Sequence, residues 1–491
     1  MNHSLARITK VLAFGFTLAF VLTAVAPAAD QTLPWPRFRG PDGSGIAENQ
    51  RPPIEVGPEK NVKWKVPAPA GFSSPIVVGD TLVITAFDNG KLYTLAYDRA
   101  DGRELWRTEA PAKQIENYHK TEGSPASSTS VTDGKRIVSY FGSCGLFCYD
   151  TKGTEVWRYE LPTVSTMGDF GTGVSPILAD GLVVLLRDET KDPKIIAVDV
   201  QSGLLKWETK RQSRSGFGTP IVIETHEGKQ IVAPGYGQLI AYDLKSGEQK
   251  WFVSGMPAAC CTSPVAANDR VLFAGWSPGD ASNEDPNYKM PKYDDLLKMM
   301  DTNGDGVISK DEAANTPFKD FFSGLDLDKD GRYTREEAEM AEKFMSASKN
   351  SAFAVTAGGS GDVTASHVLW KKTKGLPYVP SAIVCQGQYI MVKDGGLVSA
   401  YDVQSGSELY VLKRAIALGT YYASPVVAGG HIYFTSLADG TITVLKAGAA
   451  SPEVIVENPP LGERTAATPA IADDTLYVRT AGNLYAFSTK K

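Results

Sequence analysis

One unit recurs along this chain and restricts its fold more than any other feature: a short apolar strand, an aspartate turn carrying glycine, and a strand ending in tryptophan. It reads L-A-Y-D-R-A-D-G-R-E-L-W from Leu95 to Trp106, F-C-Y-D-T-K-G-T-E-V-W from Phe147 to Trp157, I-A-V-D-V-Q-S-G-L-L-K-W from Ile196 to Trp207 and I-A-Y-D-L-K-S-G-E-Q-K-W from Ile240 to Trp251. S-A-Y-D-V-Q-S-G-S-E-L-Y, Ser399 to Tyr410, carries Tyr in the Trp place. Aspartate can accept hydrogen bonds from turn amides, glycine reaches φ > 0 freely, and Trp offers a broad apolar face with one N–H to satisfy. Each unit reads as a hairpin with a packing anchor. Between anchors a small residue opens another apolar strand: S-S-P-I-V-V from Ser73, S-P-I-L from Ser175, T-P-I-V-I from Thr219, S-P-V-A from Ser263, S-P-V-V from Ser424 and T-P-A-I from Thr468. That makes four strands per unit.

Successive anchors at Trp64, Trp106, Trp157, Trp207 and Trp251 lie 42, 51, 50 and 44 residues apart, and the next, Trp370, follows after 119. Removing one repeat of about 45 residues leaves roughly 70 for an insertion. Counting through the degenerate T-I-T-V-L after Gly440 and N-L-Y-A-F after Gly482 gives eight units. The last lacks an outer strand and the segment around Trp64 lacks inner ones, so the two ends should share one unit and close a ring, which removes exposed sheet edges. The 47 glycines, 30 prolines and 47 aromatic residues suit short strands and tight turns.

The repeat A-x-D-x-x-(S/T)-G-x-x-x-W resembles the tryptophan-docking motif of the eight-bladed quinoprotein-like propellers. These include pyrroloquinoline-quinone (PQQ) dehydrogenases and the non-enzymatic propeller lipoprotein of outer-membrane β-barrel assembly. The resemblance runs from Trp64 to Phe487 outside the insertion and implies an all-β, eight-bladed β-propeller of tryptophan-docking repeats with a small all-α insertion in the fifth blade. The expected divisions are a signal peptide over 1–29, a lead segment over 30–60, propeller over 61–277, the insertion over 278–350 and propeller over 351–491.

Within the insertion the β pattern gives way to amphipathic helical stretches and two acidic loops. D-T-N-G-D-G-V-I-S-K-D-E spans Asp301 to Glu312 and D-L-D-K-D-G-R-Y-T-R-E-E spans Asp326 to Glu337; both match the EF-hand family at every key position. Calcium takes six to eight oxygens, and a 12-residue loop offers them at positions 1, 3, 5, 7, 9 and 12. The resulting ligand sets are Asp301, Asn303, Asp305, the Val307 carbonyl, Ser309 through water and bidentate Glu312, then Asp326, Asp328, Asp330, the Arg332 carbonyl, Thr334 and Glu337. Gly306 and Gly331 hold the sharp-turn position. Tyr293, Leu296, Leu297 and Met300, and likewise Phe318, Phe321, Phe322 and Leu325, fall on one face before each loop. Ser309 with Glu312 and Thr334 with Glu337 read as capping boxes, while Ile308 and Tyr333 are placed to pair the loops. The loop starts are 25 residues apart, closer than in calmodulin-like pairs, which speaks against a calmodulin-like opening; standing occupancy is expected because calcium outside cells is of the order of the Kd of roughly 10⁻⁴ to 10⁻³ M common in extracellular modules.

The N-terminus has the three zones of a secretory signal peptide: Arg7 and Lys10, an apolar stretch from Val11 to Val25, and Ala26-Pro27-Ala28-Ala29. Export to the periplasm or outside the cell is expected, with no membrane span. The first cysteine is Cys144, so no lipid-anchor cysteine stands at the cleavage zone. A formal charge of −6 gives no basic footprint for nucleic acid. Five cysteines leave an odd thiol. Adjacent Cys260 and Cys261 read as a vicinal disulfide or two packed thiols, Cys144 and Cys148 as packing or a local disulfide, and Cys385 as a buried strand residue. Quinoprotein dehydrogenases set a vicinal disulfide against their quinone, but this chain has no C-x-x-C-H haem site, and the family's cofactor-metal ligands find no residue-by-residue match. Histidines 119, 226, 367 and 431 are scattered. The segment W-P-R-F-R-G-P-D-G-S-G, Trp35 to Gly45, resembles the lead of exported bacterial propellers. It is expected to cover one face of the ring, with Arg37 and Arg39 salt-bridged. Asn117 to Glu122 lies in a blade-connecting loop, where propellers place binding residues.

These features favour a non-catalytic binding or scaffold propeller with two calcium sites and a protein partner on one face. The alternative is a PQQ-dependent oxidoreductase. No catalytic residue is assigned, and PQQ ranks below calcium among the cofactors.

Overall fold

A computed structural model describes residues 34–213, 216–277, 291–319, 322–326 and 330–490. The expected signal peptide, the first residues of the lead, the opening of the insertion, Phe321 and the ligand position Asp328 lie outside the described residues.

Eight antiparallel sheets form the ring. Blade 1 runs Ile76–Val78, Thr81–Asp88, Lys91–Asp98, Glu104–Ala110, from the innermost strand outward. Six further four-stranded units follow in chain order, and blade 8 takes its three inner strands from Ala470–Ala472, Thr475–Arg479 and Asn483–Phe487. Its outer strand, Val62–Pro67, comes from near the other terminus, with Trp64 opposite Ala486. The ring closes through that shared blade, as the unpaired half-units at the two ends require. Blade 5 is split between its second strand, Arg270–Gly275, and its third, Ser351–Thr356, and the helical segment occupies the gap.

Each anchor packs forward, onto the turn of the following blade. Trp64 donates Nε1–H to the Arg99 carbonyl at 3.0 Å, Trp106 to Thr151 at 3.1 Å, Trp157 to Val200 at 3.0 Å, Trp207 to Leu244 at 3.1 Å and Trp370 to Val403 at 3.1 Å. The indole lies on the turn glycine: a Cβ at Gly203 would stand 2.6 Å from Trp157 Cδ2, and one at Gly406 2.5 Å from Trp370 Cγ. Glycine is thus required twice, by φ of 71° at Gly203 and by the missing room above it. The aspartate does what its turn needs, Asp199 Oδ1 accepting from Gln201 N, Ser202 N and Ser202 Oγ. Trp251 is the exception. Its Nε1–H meets Gln230 Oε1 at 2.8 Å, and Gly361–Asp362 adds a parallel strand to the outer edge of blade 4.

The small residues opening the inner strands form a second belt. Ser74 N donates to Thr129 Oγ1 (2.9 Å), Thr129 N to Ser175 Oγ (3.0 Å), Ser175 N to Thr219 Oγ1 (3.0 Å) and Thr219 N to Ser263 Oγ (2.9 Å). Ser263 N continues to Ser381 Oγ (2.9 Å), Ser381 N to Ser424 Oγ (3.0 Å) and Ser424 N to Thr468 Oγ1 (2.9 Å). Every member is buried, so hydroxyls carry amide hydrogen bonds from blade to blade where the fanning strands can no longer pair directly.

The lead segment departs from expectation. Instead of lying over a face, it runs inside the ring against the free edges of the inner strands. Trp35 O accepts from Val77 N of blade 1, Pro36 O from Thr132 N of blade 2, and Gly45 O from Val427 N of blade 7. Ile46–Ala47 then pairs in parallel with Val426–Ala428. Innermost strands expose unpaired amides toward the axis, and this segment satisfies some of those of blades 1, 2 and 7. Arg37 and Arg39 are buried there, at 6% and 0% exposure, and among the described residues neither has a carboxylate within ion-pair distance, which corrects their expected salt bridges.

Candidate functional site

Strand alternation fixes what each face of the ring carries. First-to-second and third-to-fourth connections, including the tryptophan-docking turns, emerge on one face. Second-to-third connections and the blade-to-blade links emerge on the other, the loop face. The helical insertion joins a second strand to a third, so it rises from the loop face, as does the Asn117–Glu122 link.

Among the described residues four helices build the insertion: α1 (Tyr293–Met300), α2 (Lys310–Ala313), α3 (Phe322–Leu325) and α4 (Arg335–Ala347). Tyr293, Leu296, Met300, Ile308, Phe322, Leu325 and Tyr333 form its small core. The two acidic loops lie side by side, Ile308 opposite Tyr333 and Ser309 opposite Arg332. Tyr293 Oη donates to the Gly306 and Tyr333 carbonyls, both at 3.0 Å, tying α1 to both loops. α3 contacts the turn Met167–Asp169 in the link from blade 2 to blade 3, so the insertion bridges to a distant part of the same face.

In the first loop Asp301 accepts from Gly304 N and Gly306 N, Asn303 Oδ1 from Asp305 N, and Asp305 from Val307 N. Glu312 Oε2 accepts from Ser309 N (2.8 Å) and Ser309 Oγ (2.7 Å), and Oε1 from Thr302 N (2.9 Å) and Thr302 Oγ1 (3.0 Å). The hydrogen bonds from Ser309, then Thr302, pull its pKa down to about 2. The second loop repeats the plan. Asp326 accepts from Asp330 N and Gly331 N, Asp330 from Arg332 N, and Glu337 Oε2 from Thr334 N and Oγ1. The capping box at Ser309 is complete. Among the described residues no group of three or more His, Cys, Asp or Glu side chains is already drawn around a metal-sized point; loop amides hold the carboxylates, leaving oxygen donors of the hard type that suits calcium.

Toward the axis the loop face gathers an aromatic collar from links far apart in sequence. Arg464 is held between Phe72 and Tyr422, its guanidinium carbon 5.6 and 5.5 Å from their ring centres. Trp276 meets Tyr378 edge to face at 5.5 Å, His119 stacks on Phe170 at 5.4 Å, and Phe170 meets Phe217 at 6.3 Å. Burial, and then the charge of Glu122, push the Tyr422 hydroxyl and the Cys261 thiol up to about 12. Cys261 is therefore a neutral thiol at pH 7 and a poor nucleophile. Its neighbour turns elsewhere, Cys260 Sγ donating to the Pro257 carbonyl at 3.3 Å. The structure holds all five cysteines as thiols, with Cys144, Cys148, Cys260 and Cys385 buried. Of the sequence candidates, Asn117–Glu122 does join this face. Arg464, Phe72, Tyr378 and Tyr422 were not singled out, because they share no motif; their one common signal is a place in the links between blades.

The family profile described as outer membrane protein assembly factor BamB matches residues 94–259 and 348–491, on either side of the insertion. A protein of that name from Burkholderia pseudomallei (strain K96243) is 22% identical over 438 residues, covering 84% of this chain and 83% of its own length. Among solved structures, BamB from Moraxella catarrhalis superposes with a TM-score of 0.52 at 12% identity, covering 87% of this chain and 98% of that one. Quinohemoprotein alcohol dehydrogenase from Comamonas testosteroni gives 0.51 at 12% identity, covering 92% and 80%. Similarity this low between sequences reports the shared propeller fold alone. No helix among the described residues is long and apolar enough to cross a membrane.

Proposed function

This chain belongs to the family of outer membrane protein assembly factor BamB, and from that premise we propose that it is a non-catalytic binding propeller of the assembly type, exported to the periplasm, that receives a protein partner on its loop face. The observation carrying this reading is the family match in both halves of the ring. The aromatic collar supports it, since half-buried rings and a stacked guanidinium at a loop face are of the side-chain types that anchor protein interfaces. The inserted pair is read as two EF-hands that bind calcium through Asp301, Asn303, Asp305, Val307, Ser309 and Glu312, and through Asp326, Asp328, Asp330, Arg332, Thr334 and Glu337. Ionised, hydrogen-bonded carboxylates on paired loops support that reading. The metal would give the insertion a fixed shape against the link it touches. The PQQ-dependent alternative is not favoured: the matched family is that of an assembly factor, and the two adjacent thiols diverge.

Isothermal titration of the chelator-stripped protein tests both points. Two calcium equivalents per chain, with no heat on subsequent addition of PQQ, are expected. Absence of calcium heat removes the EF-hand reading, and saturable quinone binding restores the enzyme.

A further inference from the structure

Arg37 occupies an unusual place. It is 6% exposed inside the ring, its Nε is buried without a hydrogen-bond partner, and among the described residues its guanidinium forms no ion pair. A Cβ at Gly43 would stand 3.3 Å from Arg37 Nη2 and 3.6 Å from Ile221 Cγ2, which sets the head group beside the inner strand of blade 4. Arg39 is fully buried nearby in the chain. Its Nη2 donates to the Ser44 carbonyl at 3.0 Å and the Ala382 carbonyl at 2.6 Å, while Nε and Nη1 find no partner. Burial lowers both guanidinium pKa values to about 10, with the charge of exposed Asp42 working against the shift, so both remain cationic at neutral pH. A buried charge with donors left unpaired is costly, and proteins commonly meet that cost with a counter-charge. Exposed Asp42 acts on both only at a distance, and among the described residues neither guanidinium has an ion-pair partner.

We propose that the central channel holds a small inorganic anion, a halide or an oxyanion, bound at Arg37 in the field of Arg39. The anion completes the hydrogen bonding of the buried lead segment and pins it against the inner strands. A carboxylate side chain from a partner would have to reach this point through the channel, whereas a small ion diffuses in. The inference stands independently of the partner and calcium readings, since neither involves the lead segment.

The test compares the full mature chain with Arg37→Met by thermal unfolding and titration calorimetry in sodium gluconate at fixed ionic strength, replacing gluconate by chloride or by inorganic phosphate. For the wild type a saturable rise in Tm of roughly 2 °C at ten times the midpoint concentration is expected, with matching heat, and none for Arg37→Met. Response to chloride alone identifies a halide site, response to phosphate alone an oxyanion site. A wild-type Tm indifferent to both anions, or an equal rise in Arg37→Met, overturns the proposal. Should Arg37→Met fail to fold, wild-type crystals grown in bromide decide: an anomalous peak at the Arg37 guanidinium is expected, and water alone there overturns it.

Discussion

Replacing Gly203 by Ala probes the seam between blades 2 and 3. Gly203 has φ of 71°, and its new Cβ would stand 2.6 Å from Cδ2 of Trp157, a side chain only 9% exposed and fixed by its bond to the Val200 carbonyl. The left-handed backbone costs about 1 kcal/mol for alanine, and forcing a methyl group into a packed contact about 1–3 kcal/mol. Gly203→Ala should therefore destabilise by about 2–4 kcal/mol. In a Trp157→Ala background the collision partner is gone, and the same substitution should cost only the backbone contribution of about 1 kcal/mol. Urea unfolding followed by far-ultraviolet circular dichroism on the four proteins yields the coupling from the shift in midpoints at constant slope. An equal penalty in both backgrounds would refute the claim that indole docking, and not backbone conformation alone, selects glycine here.

Ser263→Ala leaves Thr219 N–H buried without its acceptor and should cost about 1–3 kcal/mol, while Ser263→Thr, which keeps the hydroxyl as Thr129, Thr219 and Thr468 do, should cost clearly less; thermal unfolding compares them. Burial raises the Glu116 pKa to about 7, against the opposing hydrogen bonds from Thr172. The folded protein thus holds a proton there that the unfolded chain has released. Stability should fall as pH rises from about 4.5 to about 7, by about 3 kcal/mol at most, and Glu116→Gln should flatten that part of the profile in denaturant midpoints taken across the range. Glu312→Gln, losing the bidentate position of the first loop, should reduce the calcium stoichiometry from two to one; an unchanged titration would remove Glu312 from the ligand set.

Local chemistry made much of the molecule readable from its sequence. The Asp, Gly and Trp of each repeat act within one turn and the next blade, so their spacing discloses both the hairpin and the ring. Closure followed from half-units at the two ends. Other features depend on contacts that spacing does not encode. Thr129 and Ser381 belong to the hydroxyl belt but lack the following proline that marks Ser175 or Ser263. The blade 4–5 seam uses Gln230 and an added strand because blade 5 has no docking turn to offer Trp251. Arg37 and Arg39 were expected to be salt-bridged in a segment covering one face, and only the open edges of the inner strands explain why that segment runs inward. The acidic loops were fully legible as a pattern, since their carboxylates are sequence-local. The collar was not, because each blade contributes one or two residues that meet only when the ring closes.

A protein partner seated on the loop face should be within reach of side chains that project from it. Photo-crosslinking amino acids placed in living cells at Leu418 and Phe170, which project from the loop face at 77% and 37% exposure, should trap an outer-membrane assembly component, whereas one at Leu204, 65% exposed on a docking turn of the opposite face, should trap none. Adducts from Leu204 with none from Leu418 or Phe170 would contradict it.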